Sequence, residues 1–226
     1  MAIAFDTSSI ATLANPATSV TWSHTTAAGS DRVLMVAGGI PTTDKLTTVT
    51  YNSVSCTKIQ AFQLGDSRGC YLHYLVAPAT GANNVVISGS SDAWIGAAAT
   101  YTGVDQSSPI DASAVKRDAG TGSAFSLDVT SVTDNCWLVG SVRCGTAGTA
   151  GSGTIIRQTA SGLTLADSNS AITPAGATNL NFTMSFAGIG GVIAAIAPVA
   201  TATTSIKSVN GVLHANIKSW NGVILE

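Results

Sequence analysis

The chain has 226 residues, is 45% hydrophobic and only 10% charged, carries a formal net charge of −2, and contains a single glutamate, Glu226. Soluble helices display Glu, Lys and Arg on their outer faces, so this composition argues against a helical protein, and its plentiful Thr, Ser, Val, Gly and Ala point to β structure. The slight negative charge, with no basic patch interleaved with aromatics, argues against nucleic acid as a partner.

Met1-Ala2-Ile3-Ala4-Phe5-Asp6 has neither a basic start nor a long apolar stretch, so no secretory signal is expected. Val20-Thr21-Trp22-Ser23-His24 alternates and reads as a half-buried strand, whereas residues 32–38 are almost continuously apolar and read as a central one. Strands at 46–51 and 57–64 follow, split by Asn52-Ser53. A loop over 65–69 leads into a strand at 70–76, where Tyr71, His73 and Leu75 share one face. Further strands are predicted at 84–88, 93–102, 110–114, 124–129, 136–143, 155–159, 163–167, 180–186 and 190–197. No segment shows a sustained 3.6-residue period with caps. Many short strands separated by turn signals predict an all-β fold, an antiparallel β-sandwich of jelly-roll or Greek-key type. The glycine-rich segment 145–153 reads as an exposed, mobile loop. The apolar stretches at 33–40 and 188–200 are too short or too glycine-rich to span a bilayer, so no membrane insertion is expected.

Pro198-Val199-Ala200-Thr201-Ala202-Thr203-Thr204 reads as an extended linker. It divides a β-sandwich domain, 1–197, from a tail, 205–226, that says the same thing twice. Ile206-Lys207-Ser208-Val209-Asn210-Gly211-Val212 returns as Ile217-Lys218-Ser219-Trp220-Asn221-Gly222-Val223. Asn-Gly between apolar residues is the strongest short signal for a two-residue type I′ hairpin, because both central positions need φ > 0. Each unit is therefore expected to be a tiny β-ribbon, too small to be stable alone. Its apolar residues need cover from the body, a second copy or another protein. The expected docking residues are Ile206, Val209, Asn210, Gly211, Val212, Ile217, Trp220, Asn221, Gly222 and Val223, with Lys207 and Lys218 at a solvent edge where lysine discourages stray strand addition. Addition of one repeat to a partner's sheet edge is the alternative docking mode.

Evidence for catalysis is thin. His24, His73 and His214 sit in separate predicted strands, and neither H-E-x-x-H nor a ligand-spaced cluster occurs. G-x-S-x-G and the P-loop are both missing. No catalytic residue, metal ligand or cofactor is therefore assigned. Asp105 and Asp111 lie close in sequence around Pro109; a structured turn is the expected role, with calcium binding or an unrecognised aspartate pair as the alternatives. Trp22, Trp94, Trp137, Trp220, Tyr51, Tyr71, Tyr74 and Tyr101 are either core or a sugar-stacking platform. Cys56, Cys70, Cys136 and Cys144 include no C-x-x-C; Cys136 and Cys144 would lie roughly 27 Å apart along one strand at ~3.3 Å per residue, so buried free thiols are expected.

Val20–His24 with Ser30-Asp31-Arg32-Val33-Leu34-Met35-Val36, Val49-Thr50-Tyr51-Asn52-Ser53-Val54, the run from Leu75 to Val85 and Tyr101-Thr102-Gly103-Val104-Asp105-Gln106 together resemble a β-sandwich domain widespread in bacterial and phage-encoded proteins. The Ile-Lys-Ser-x-Asn-Gly-Val tail resembles short repeats that close many tailed-phage virion proteins. The resemblance implies a non-enzymatic virion structural protein, a capsid decoration, head-fibre or tail component, made in the host cytoplasm and assembled into the virion. Its implied partners are other virion proteins and further copies of itself. The rival expectation is a carbohydrate-binding or receptor-binding adhesin module that takes a cell-surface glycan.

Overall fold

The computed structural model describes residues 1–40, 46–64, 68–200, 208–209, 212–213, 219–220 and 223–224. Among them there is no helix. The chain runs β1 (Ala4–Ile10), β2 (Ala14–Thr26), β3 (Val33–Ile40), β4 (Leu46–Tyr51), β5 (Val54–Ser55), β6 (Thr57–Leu64), β7 (Arg68–Val76), β8 (Gly81–Thr102), β9 (Ile110–Thr130), β10 (Trp137–Arg143), β11 (Thr149–Ala150), β12 (Ile155–Ala160), β13 (Leu163–Asp167) and β14 (Ala177–Ile196). The tail adds β15 (Ser208–Val209), β16 (Val212–Leu213), β17 (Ser219–Trp220) and β18 (Val223–Ile224).

All strand pairing among the described residues is antiparallel; β1–β14 form two large sheets, each nearly closed on itself, and the tail strands form two separate two-stranded ribbons. The first has the order β5-β4-β8-β3-β7-β6, with β1 and β2 also on β8; the second has the order β11-β14-β10-β13-β12, with β9 also on β14. Closure rests on unusually long strands. β8 pairs with β2 and β4 through its first half and with β1 and β3 through its second. β9 and β14 pair along almost their whole lengths, with register shifts that bend the ribbon. Three predicted pairs of strands (84–88 with 93–102, 110–114 with 124–129, 180–186 with 190–197) are thus three continuous strands. The short polar or glycine-containing gaps that resembled turns are the bends. β1 was not anticipated; its apolar pattern is weak because it is only half-buried.

Three apolar clusters fill this arrangement. One lies between the two sheets and takes Val33, Met35 and Ala37 of β3, Ile95, Ala97 and Ala99 of β8, Val139 of β10, Leu163 and Leu165 of β13 and Val192 and Ala194 of β14. The second lies inside the curl of the second sheet, around Leu127, Leu138, Leu180, Phe182 and Ile193. The third lies inside the curl of the first sheet, around Trp22, Leu34, Val36, Tyr51, Ile87 and Trp94. A central strand therefore buries both faces, which is why β3 and β10 read as continuous apolar runs. β2, at the periphery, alternates from Val20 to Thr26, buried at every second position.

Two-residue turns with positive φ recur. Asn52 (φ 48) and Ser53 (φ 64) join β4 to β5, and Ser161 (φ 47) and Gly162 (φ 77) join β12 to β13. Both follow the type I′ logic of primed turns that match strand twist. The segment 145–153 is not wholly a loop: β11 within it pairs with Phe182 and Thr183 of β14. The expected linker also begins inside the body. Val104 and Pro198 form a bridge, and Val199 N–H donates to Gly103 O at 3.0 Å.

Candidate functional site

In the tail, β15 pairs with β16 through Val209↔Val212, and β17 pairs with β18 through Trp220↔Val223. Each repeat thus pairs across a two-residue connection, Asn210-Gly211 or Asn221-Gly222. Those four residues, with Ile206, Ile217, Lys207, Lys218 and His214, lie outside the described residues. The predicted docking residues that are described, Val209, Val212, Trp220 and Val223, occupy the four ribbon strands.

A cleft of about 720 Å³ opens where the body's two ends meet. Met1, Ala2 and Ile3 form one wall, Pro198, Val199 and Ala200 another, and Asp105, Asp111, Asp134, Asn135 and Trp137 also line it. The expected turn around Asp105 is present: its Oδ1 accepts the N–H groups of Ser107 (2.7 Å) and Ser108 (2.9 Å). These bonds hold its carboxyl below the usual carboxylate range. A general acid for glycoside hydrolysis needs the opposite shift. Asp111 accepts Val132 N–H at 2.7 Å and Asp134 accepts Ala175 N–H at 2.6 Å. All three carboxylates act as backbone clips. Asp134 was not singled out from the sequence. It is more than twenty residues from Asp111, and only the long β9 return brings the two to one cleft. Among the described residues no three metal-ligating side chains gather.

A sugar-stacking platform of the predicted aromatics does not exist among the described residues. Trp22, Trp94 and Trp137 are buried, as are Tyr51, Tyr71 and Tyr101, and Tyr74 packs half-buried against the intersheet core. With both strand faces covered, the aromatics filled the three cores. Trp137 also reaches the wall of this cleft.

His24 anchors a buried polar chain. Its Nδ1 lies 2.8 Å from Ser9 Oγ and its Nε2 lies 2.7 Å from Thr100 Oγ1, while Trp22 Nε1–H donates to Ser9 Oγ at 3.0 Å. Thr26 Oγ1 continues the chain to the Tyr51 hydroxyl at 3.0 Å. A serine beside a histidine is the first step of a nucleophile–base pair. Here, however, the far nitrogen faces Thr100 rather than a carboxylate. Burial pushes the imidazole down to about 4, opposed by the weaker attraction of Asp6, far from the near-neutral value a general base needs. The network ties β1, β2, β4 and β8 together across the core.

His73 lies elsewhere, in β7, beside Cys56 and Lys58 on the wall of a separate cleft of about 350 Å³. Burial, and secondarily the Lys58 charge, push it to about 4. Burial also raises the thiols of Cys56 to about 12 and Cys70 to about 11. Cys70, Cys136 and Cys144 are buried and Cys56 is half-buried.

Comparison with protein-family models, curated proteins and solved structures gave no match.

Proposed function

We propose that this chain is a non-enzymatic structural component of a tailed-phage virion, a capsid decoration, head-fibre or tail protein, whose body is a β-sandwich of jelly-roll type and whose C-terminal ribbons dock it to other virion proteins or to further copies. The observation that carries this reading is the doubled tail: two successive ribbons with matching register, Ser208↔Leu213 and Ser219↔Ile224. Each ribbon is too short to hold itself together in water. They follow a body whose three apolar clusters are already filled by its own strands. Ile206, Val209, Ile217 and Trp220 are the proposed buried contacts, and Lys207 and Lys218 the solvent edge.

The test is the solution mass of the whole chain and of a chain ending at Ala200, measured by light scattering. The end point keeps the Val104–Pro198 bridge and the Val199 bond intact. An oligomer that becomes a folded monomer on removal of the tail supports self-assembly through the ribbons. Monomers in both cases direct the tail to a different virion protein, detectable as binding of the isolated chain to particles that lack it. Absence of both overturns the reading.

A receptor-binding adhesin is the second reading, favoured by the 720 Å³ cleft, which Asn135, three aspartates and Trp137 line together. Polar groups beside an indole suit a sugar. Binding on a glycan array that is lost in Asn135→Ala supports it; an empty array counts against it.

A further inference from the structure

We propose that Cys56 and His73 form a binding site for one soft monovalent cation, copper(I) in its chemistry, held by a thiolate sulfur and an imidazole nitrogen. The cleft lies between Leu46–Val49 of β4 and the stretch from Ser55 to Lys58, with His73 of β7 on its wall. His73 is 3% exposed, and its Nδ1 has no hydrogen-bond partner among the described residues. An orphaned buried nitrogen is costly, so one on a residue that lines a cleft is the mark of a missing partner. A thiol shares that cleft. Lys58 pairs directly with His73 and Thr57 with Tyr74. Cys56 stands one residue ahead of that paired stretch, its N–H donating to Val49 O of β4 at 2.8 Å, and strand alternation puts it on the face of Lys58 and His73, close to a diagonal neighbour of His73. Diagonal neighbours are about 7–8 Å apart, less at Cβ. Bonds of about 2.0–2.3 Å let one metal ion span about 4 Å between nitrogen and sulfur, which side chains at that spacing reach.

Charge selects the ion. A thiolate, a neutral imidazole and a monovalent cation sum to zero, which suits a half-buried site. A divalent ion would leave a net positive charge beside the Lys58 ammonium, and no carboxylate stands among the described lining residues to offset it. Soft thiolate ligands favour copper(I) in any case. On binding, the sulfur–hydrogen bond of Cys56 breaks and a sulfur–copper bond forms. The proton leaves to water past the exposed Thr47, Thr48 and Ser55, His73 supplies its nitrogen lone pair, and no electron is transferred. The other thiols are placed differently: Cys70 Sγ, for example, lies 3.1 Å from Ser141 Oγ within the sealed core between the sheets.

Anaerobic titration of the full chain with copper(I), against a chromophoric copper(I) chelator, tests the site. One equivalent is expected to be withheld. Cys56→Ser and His73→Gln should each lower the affinity about 10-fold or more, while Cys136→Ser leaves it unchanged. X-ray absorption of the unaltered, copper-loaded chain should show one sulfur and one nitrogen neighbour, and this readout stands even if a variant fails to fold. Equal retention of copper by Cys56→Ser, two sulfur neighbours in the unaltered chain, or displacement of copper(I) by equimolar zinc(II) overturns the proposal.

Discussion

Two buried polar groups decide how single residues contribute. Asp167 is fully buried at the end of β13 and accepts Arg157 Nε–H at 2.6 Å, Arg157 Nη2–H at 3.0 Å and the Tyr101 hydroxyl at 2.9 Å. Tyr101 belongs to the first sheet and Arg157 to the second, and the guanidinium also lies 3.8 Å over the Phe5 ring. This cluster joins the sheets by direction as well as by burial. Removing one partner strands a buried charge, so Asp167→Ala should cost about 3–5 kcal/mol in denaturant unfolding, and Tyr101→Phe about 1 kcal/mol. His24 gives a pH signature. Its folded value of about 4 lies below the ordinary 6.5, so between those values only the unfolded chain takes up the proton. Stability is therefore full above about pH 6.5 and falls as pH drops towards 4, by on the order of 3 kcal/mol. His73 shifts the same way, so His24→Gln should remove about half of the combined dependence of the two histidines in melting curves taken from pH 7 to pH 4. An unchanged slope would remove His24 from the account. None of these partnerships was legible in the chain: His24 and Thr100, or Tyr101 and Asp167, carry no spacing that links them.

Elements owe their shape to small residues at crossings. Gly190 of β14 sits directly under the Phe62 ring of β6, and Gly96 of β8 under the Trp22 indole, so a Cβ at either place would overlap the aromatic. These contacts let the sheets approach across the core and let the first sheet curl. Gly190→Ala should destabilise by about 1–3 kcal/mol through overpacking. Phe62→Leu in the same chain should recover part of that loss, a coupling that a double-mutant cycle reads directly. Purely additive effects would show that the ring is not the obstacle. Strand positions were legible because burial imposes period 2 or continuous apolar runs, as in β2 and β3. Strand continuity was not. Gly89-Ser90-Ser91-Asp92 and Gly120-Thr121-Gly122-Ser123 have the composition of turns, yet they lie within β8 and β9, because pairing supplied by β2 and β14 outweighs weak local preference.

At the scale of the molecule, the tail makes the sharpest prediction. Gly211→Val and Gly222→Val place a β-branched residue where a type I′ turn requires φ > 0. On the assembly reading, the double variant should keep the melting temperature of the body while losing the oligomer or the particle binding of the unaltered chain, as read by light scattering or co-sedimentation. Assembly that survives both changes would show that the hairpins are not the docking element. The body's surface, poor in charge, suits close approach to neutral neighbours; raising the salt concentration should therefore weaken assembly little, since few ion pairs are there to screen.

Composition, the period-2 strands, the turn around Asp105 and the tail's paired repeats were all legible in the chain, because each depends on residues within one short window: burial alternates along a strand, an aspartate caps its own turn, and Asn-Gly tolerates φ > 0. Tertiary structure alone decided that the aromatics fill cores rather than a platform, that β8, β9 and β14 run unbroken through each curl, that Asp134 joins Asp105 and Asp111, and that Cys56 and His73 line one cleft. Each of these is a meeting of distant segments, determined by which sheet face finds which partner, and no local pattern encodes that choice.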